Sequence, residues 1–193
     1  MKRIINTLAV VFVLVLAFSA CAAPPIEEMQ KARDAVIRAE NDADAVTYAG
    51  NLIIHARDAL TRMQSELDSK RYDMAKEFAI EAINNAEKAI AEGQSAKERS
   101  KTEAGALLDS VQNTLAETSN AIDNARNVPN IQLDFDALAQ ETDGAHETYN
   151  DARQSFQDGD NPDAIAKGQA ARDLLSDINT KVNEAAFDTS RKQ

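Results

Sequence analysis

YDMAKEFAIEAINNAEKAIAEGQSA, residues 72–96, is where the chain declares its fold. Small residues recur in it as Ala75, Ala79, Ala82, Ala86, Ala89, Gly93 and Ala96, in a strict alternation of four and three. That spacing lines one face of an α-helix. Almost nothing on the stripe exceeds a methyl group, so a second helix laid against it can come very close. After Gly93 the pattern steps eleven residues to Ala104 and resumes as Leu108, Val111, Leu115, Thr118, Ile122 and Ala125. Eleven residues are about three turns, so the helix continues while its seam drifts. Pro129 biases the residue before it away from helix. The spacing therefore predicts one long helix from about Tyr72 to Asn127.

Working outward, shorter helices flank it. Met29, Ala32, Val36, Ala39 and Ala43 form one stripe; Ala45, Ala49, Leu52, Ala56, Leu60, Met63 and Leu67 form another, with the acidic run from Glu40 to Asp44 as the turn between them. Beyond Pro129, Phe135, Leu138, Thr142, Ala145, Tyr149, Ala152 and Phe156 form a fourth, and Ala164, Gly168, Ala171, Leu175, Ile178, Val182 and Ala185 a fifth. Gly159-Asp160-Asn161-Pro162 separates these two: the glycine ends one helix, Asp160 or Asn161 caps the next, and Pro162 sits in its first turn. Ser69 to Arg71 contains no Gly or Pro, but a helix unbroken across it to Asn127 would exceed about 80 residues, far beyond ordinary lengths. A turn is expected there.

A gapless offset of 89 residues supports that turn. It lays Ala32 on Ala121, Ala56 on Ala145, Leu60 on Tyr149, Leu67 on Phe156, Ala75 on Ala164 and Ala82 on Ala171, and it places Ser69 to Tyr72 over Asp158 to Asn161. Such self-similarity at a fixed period marks a repeated structural unit. The expected fold is all-α: an elongated antiparallel helical bundle of about five helices, built as two three-helix units sharing the long helix. Residues 26–103 form the first unit, 104–187 the second and 188–193 a tail.

Before residue 26 the chain reads as an export and anchoring device. Lys2 and Arg3 precede an unbroken apolar stretch from Leu8 to Phe18, a signal-peptide pattern expected to occupy residues 1–20. The stretch is too short to span a bilayer, which takes about 20 residues. Phe18-Ser19-Ala20-Cys21 resembles the lipobox of bacterial lipoproteins, which implies cleavage after Ala20, acylation of Cys21, and a short linker over residues 21–25. Cys21 is the only cysteine in a chain bound for a compartment that permits disulfides. Processing removes Lys2 and Arg3, taking the net charge from −11 to −13. So acidic a body is unsuited to nucleic acid, which rewards basic stripes, or to lying flat on anionic headgroups.

From Cys21 to about Ala96 the chain resembles an uncharacterised family of helical bacterial lipoproteins, a domain of unknown function common in spirochaetes. The likeness is carried by residues 22–28 (AAPPIEE), Ala32-Arg33-Asp34-Ala35, Tyr48-Ala49, residues 56–60 (ARDAL) and Tyr72-Asp73-Met74-Ala75. The last resembles the turn of tetratricopeptide-like hairpins, with Lys70-Arg71 where those carry Gly-Asp. The resemblance implies helical hairpins in the cell envelope and supplies no activity and no catalytic residues. Because Ala22 is not the aspartate that retains other bacterial lipoproteins at the inner membrane, an outer-membrane location facing the periplasm is expected.

No chemistry emerges from the remaining residues. His55 and His146 each lack a second histidine one turn away, so no metal site is expected. Residues 158–163 (DGDNPD) superficially suggest a calcium loop, but the sixth position is not Gly and the twelfth is Gln169 rather than Glu. Ser65, Ser95 and Ser110 stand without a glycine elbow, and no phosphate-binding glycine loop is present. Tyr48, Phe78, Phe135, Tyr149 and Phe156 lie on or beside apolar stripes and are expected in the core. The reading is a non-enzymatic, lipid-anchored scaffold or protein-interaction module, with the membrane and an envelope protein as partners, no cofactor, no nucleic acid, and Cys21 as the one residue with a chemical role. The alternative is a small-ligand-binding lipoprotein with an apolar cavity between its helices.

Overall fold

A computed structural model describes residues 24–191. The signal-peptide region and Cys21 lie outside these residues. The described chain is all-α: α1 (Ile26–Asn41), α2 (Ala43–Tyr48), α3 (Gly50–Asp68), α4 (Tyr72–Arg126), α5 (Phe135–Gln157) and α6 (Asn161–Arg191). The expected long helix is one unbroken element of 55 residues. Packing divides the chain into two compact units between Gln94 and Ser95, inside the eleven-residue step from Gly93 to Ala104.

Unit 1 contains α1, α2, α3 and the first part of α4. Glu27 and Glu28 in the first turn of α1 and Arg38 in its last complement the helix dipole. Asp42 then leaves the helical region, and its carboxylate accepts a hydrogen bond of 2.8 Å from the amide of Ala45, capping α2. Here the helix count differs from expectation, six among the described residues rather than about five. The second expected helix is interrupted at Ala49, whose φ of −132° is not helical. Val46-Thr47-Tyr48 and Gly50 are weak helix formers on either side of the break, for reasons of side-chain and backbone entropy respectively.

The unit 1 core is made mostly of methyl groups. Ala32, Ala35, Ala39, Ala56, Ala59 and the α4 stripe from Ala75 to Ala89 are essentially inaccessible, and Val36, Ile53 and Met63 supply the bulk. Gly93 closes the far end. A Cβ built on it would lie 2.6 Å from the backbone nitrogen of Ala45, so α4 touches the backbone of α2. Only glycine allows that approach.

Unit 2 contains the rest of α4 with α5 and α6. Its core is larger in side chain: Leu108, Val111, Leu115, Tyr149 and Leu175 in one cluster, Ile122, Leu138, Ile178 and Val182 in another. Thr118 is fully buried and accepts a hydrogen bond of 2.8 Å from Asn179 Nδ2, satisfying a polar group that would otherwise be costly inside. Asp134 caps α5 by accepting from the amides of Asp136 and Ala137. α6 runs to Arg191 with Thr189 buried near its end.

The 89-residue offset holds in burial as well as in sequence. Ala75, Ala79, Ala82, Ala86, Ala89 and Gly93 are buried on α4, and Ala164, Gly168, Ala171, Leu175, Ile178 and Val182 on α6. The turns repeat too. At the end of α3 the amides of Lys70 and Arg71 reach back to the carbonyls of Leu67 and Glu66, at 2.8 and 2.9 Å. At the end of α5 those of Gly159 and Asp160 reach Phe156 and Ser155, at 3.1 and 2.9 Å. Both are Schellman caps. The left-handed residue is Lys70 at φ 56° in one and Gly159 at φ 82° in the other.

Candidate functional site

The first candidate was not anticipated from the sequence. Ser155 is 7% exposed on the last turn of α5. Its hydroxyl donates to Asp163 Oδ2 at 2.6 Å and accepts from Lys167 Nζ at 3.0 Å. Lys167 and Asp163 also pair directly, at 2.6 Å. A serine touching a lysine and a carboxylate is a grouping used in nucleophilic catalysis, but there the lysine must take the serine proton. The hydrogen bond that Lys167 donates to Asp163 raises the pKa of Lys167 above its ordinary value. Lys167, then Ser155, lowers that of Asp163. Both shifts favour the charged forms of Lys167 and Asp163, the opposite of what a lysine base requires. The cluster clamps the start of α6 to the end of α5, beside the cap in which Asp160 Oδ1 accepts from the Asp163 amide at 3.1 Å. The offset pairs Ser155 with Glu66. There the carboxylate binds the Arg71 guanidinium, and that hydrogen bond lowers the Glu66 pKa.

Three surface grooves stand out. One of about 530 Å³ runs along Arg33, Leu60, Gln64 and Asp68, and is crossed by hydrogen bonds from Arg33 to Gln64 and from Gln64 to Asp68, both 2.9 Å. A second, of about 360 Å³, lies beside Tyr149, whose hydroxyl donates to Gln112 Oε1 at 3.3 Å. The third, about 450 Å³, lies between the start of α5 and the last turns of α6. All three are open to solvent and mixed in lining rather than apolar chambers.

Four of the five aromatic residues pack as expected from their stripes, whereas Tyr48, at the end of α2, is half-buried and not part of the unit 1 core. Tyr149 is buried, while Phe78, Phe135 and Phe156 lie partly buried against the cores. Arg62 lies over the Phe78 ring at 5.8 Å and Arg126 over Phe135 at 4.7 Å, covering the faces the core leaves open. His55 and His146 are exposed. Among the described residues no group of three or more His, Cys, Asp or Glu is placed to hold a metal ion. No described helix is long and apolar enough to cross a membrane.

The two units differ on their surfaces. Ile37, Ile54, Met74 and Ile80 are between 42% and 57% exposed in unit 1. The residues 89 positions on are Arg126, Asp143, Asp163 and Gln169.

Residues 27–104 match the model of a family described as a domain of unknown function (DUF4398). The match takes in nearly all of α1, all of α2 and α3, and α4 as far as Ala104; α5 and α6 lie beyond it. It agrees with the resemblance seen in the sequence to an uncharacterised family over much the same residues. No curated protein and no solved structure matches the chain. The DUF4398-like region is therefore essentially unit 1, and most of unit 2 lies beyond the match.

Proposed function

We propose that the protein is a lipid-anchored component of the bacterial cell envelope, acting as a non-enzymatic helical scaffold that holds another envelope protein. The anchor rests on the sequence around Cys21: a positively charged start, an apolar stretch of signal-peptide length, and small residues before a lone cysteine. Acyl chains there would hold the body at the membrane firmly, each buried methylene contributing about 0.8 kcal/mol. The sequence after the cysteine favours the outer membrane, with the body in the periplasm.

The observation that carries the scaffold reading is the contrast between the surfaces of the units. At four positions where unit 2 presents Arg126, Asp143, Asp163 and Gln169, unit 1 presents Ile37, Ile54, Met74 and Ile80, each substantially exposed. Single exposed apolar residues are ordinary, but the repeat shows that the same plan is satisfied by polar ones. Unit 2 in turn exposes Leu174 and Phe187 where α4 carries Asn85 and Glu98, so both units show apolar side chains that the shared plan does not require, which supports protein contacts. The small-ligand alternative draws less support, because alanine seams bring the unit 1 helices close together and the grooves are open and polar in part.

Two experiments test this reading. Cys21→Ala should move the protein from the membrane fraction to the soluble fraction; persistence in membranes would remove the anchor from the account. In-cell crosslinking of the wild-type protein should capture one envelope protein reproducibly. If none is captured while a small molecule co-purifies, the scaffold reading fails.

A further inference from the structure

At one point of the repeat the units differ in packing, not only in residue type. In unit 1 the space beside Gly93 is filled by the backbone of Asp44 and Ala45. Eighty-nine residues on, these three positions are Val182, Leu133 and Asp134. Val182 brings an isopropyl group, 5% exposed and packed with Leu138 and Ile178. With that group in place the backbone ahead of α5 cannot make the contact that seals unit 1, and the 450 Å³ groove opens there.

The lining has two parts. Leu133, Ala137, Leu138 and Ala185 form an apolar floor, and Asp134, Glu141, Glu184 and Asp188 an acidic rim. Lys181 is the only lining cation and lies 2.5 Å from Glu141. The positions 89 residues before Glu141, Glu184 and Asp188 are Leu52, Ser95 and Arg99. Neither the opening nor its acidity belongs to the shared plan. Glu184 and Asp188 stand one turn apart, where like charges destabilise a helix. Asp188 also lies near the C-terminal end of α6, where the helix dipole disfavours an anion. A cation seated in the groove would relieve both.

We propose that this groove docks a cationic peptide segment of a partner protein, its Lys or Arg side chains on Glu184 and Asp188 and an aliphatic or aromatic side chain on the Leu133–Leu138 floor. The proposal deepens the scaffold reading and rests on it, but is independent of the anchor at Cys21. The occupant is chosen by charge and shape together: the carboxylates attract a basic segment and the floor retains an apolar anchor.

The test uses the full-length protein extracted in neutral detergent and a fluorescein-labelled pentapeptide, Lys-Leu-Lys-Phe-Lys, followed by fluorescence anisotropy. The wild-type protein should bind it. Glu184→Gln with Asp188→Asn should weaken binding roughly fivefold to tenfold, the loss of two partly screened ion pairs. Ala185→Trp, which fills the floor, should weaken it at least tenfold. Circular dichroism should show the helix content of the variants unchanged. The proposal is overturned if the wild-type protein does not bind, if Ala185→Trp binds as tightly, or if penta-lysine binds equally well, since charge alone would then suffice. Failure of the peptide alongside successful in-cell crosslinking would remove the groove and leave the scaffold reading standing.

Discussion

Unit 1 and unit 2 share a plan and solve it with different side chains. Along α4 the first unit buries Ala86, Ala89 and Gly93; along α6 the second buries Leu175, Ile178 and Val182 at the corresponding places. The small seam draws backbones together until Gly93 meets Ala45, while the large seam fills its core with side chains and leaves the start of α5 standing off. Side-chain volume therefore decides more than stability here. It decides whether a groove opens between the start of α5 and the end of α6.

The largest expected effect breaks unit 2 at its bulk. Leu175 is fully buried, and Leu175→Ala should cost about 3 kcal/mol in urea unfolding, the transfer loss plus the cavity left behind. Its counterpart is already alanine, so in unit 1 the equivalent damage is overpacking. Gly93→Ala forces a Cβ to within 2.6 Å of the backbone of Ala45, which cannot swing aside as a side chain can. A loss of about 2 kcal/mol is expected after crediting alanine with its better helix propensity. The same change at Gly168 meets side chains alone: Leu107 Cδ2 at 2.9 Å and Cγ at 3.2 Å, and Leu108 Cδ2 at 3.9 Å. The Leu107 side chain can turn away, and Gly168→Ala should be close to neutral by the same assay.

The turns offer a smaller, paired test. Lys70 adopts φ 56° where Gly159 adopts φ 82° in the same cap. Lys70→Gly should stabilise by up to about 1 kcal/mol and Gly159→Lys should destabilise by about as much, because only glycine enters the left-handed region without steric cost. Equal and negligible shifts in thermal midpoint for both changes would contradict the shared-cap account.

The smallest effect is electrostatic. The Asp163 pKa is lowered from 3.8, chiefly by its hydrogen bond with Lys167 and then by that with Ser155. A depressed folded value means the clamp contributes fully above about pH 4 and is lost as the pH falls through it. Lys167 is raised from 10.5, so its contribution is complete below that pH and fades as the pH rises through the folded value. A carboxyl-detected NMR titration should show the Asp163 pKa rising toward 3.8 in Ser155→Ala and rising further in Lys167→Met. No change in either variant would mean that the clamp does not operate in solution.

Much of the fold was legible because helical period survives any choice of side chain. The long helix, the Gly159 turn and the offset followed from spacing alone, and even the Lys70 turn, which has no glycine, could be placed through its partner 89 residues away. The break at Ala49 was not legible. The stripe runs through it from Ala45 to Leu52, and weak propensity in Val46-Thr47-Tyr48 and Gly50, on either side of Ala49, interrupts the helix without disturbing the apolar pattern. Nor did spacing reveal the groove or the Ser155 clamp. Both depend on distances between helices, and a stripe of small or large residues says which faces meet without saying how closely.

One measurement reaches the centre of this account. Ala96 and Ala185 stand 89 residues apart at equivalent places on α4 and α6, the first one turn beyond Gly93 and the second on the floor of the open groove. A photo-crosslinking side chain placed at 185 in cells should join the protein to a single partner, and added Lys-Leu-Lys-Phe-Lys should compete that product away in isolated envelopes. The same group at 96 should give little or none of it. Equal yields from both positions, or a product at 96 alone, would contradict the claim that the groove between α5 and α6 holds a partner.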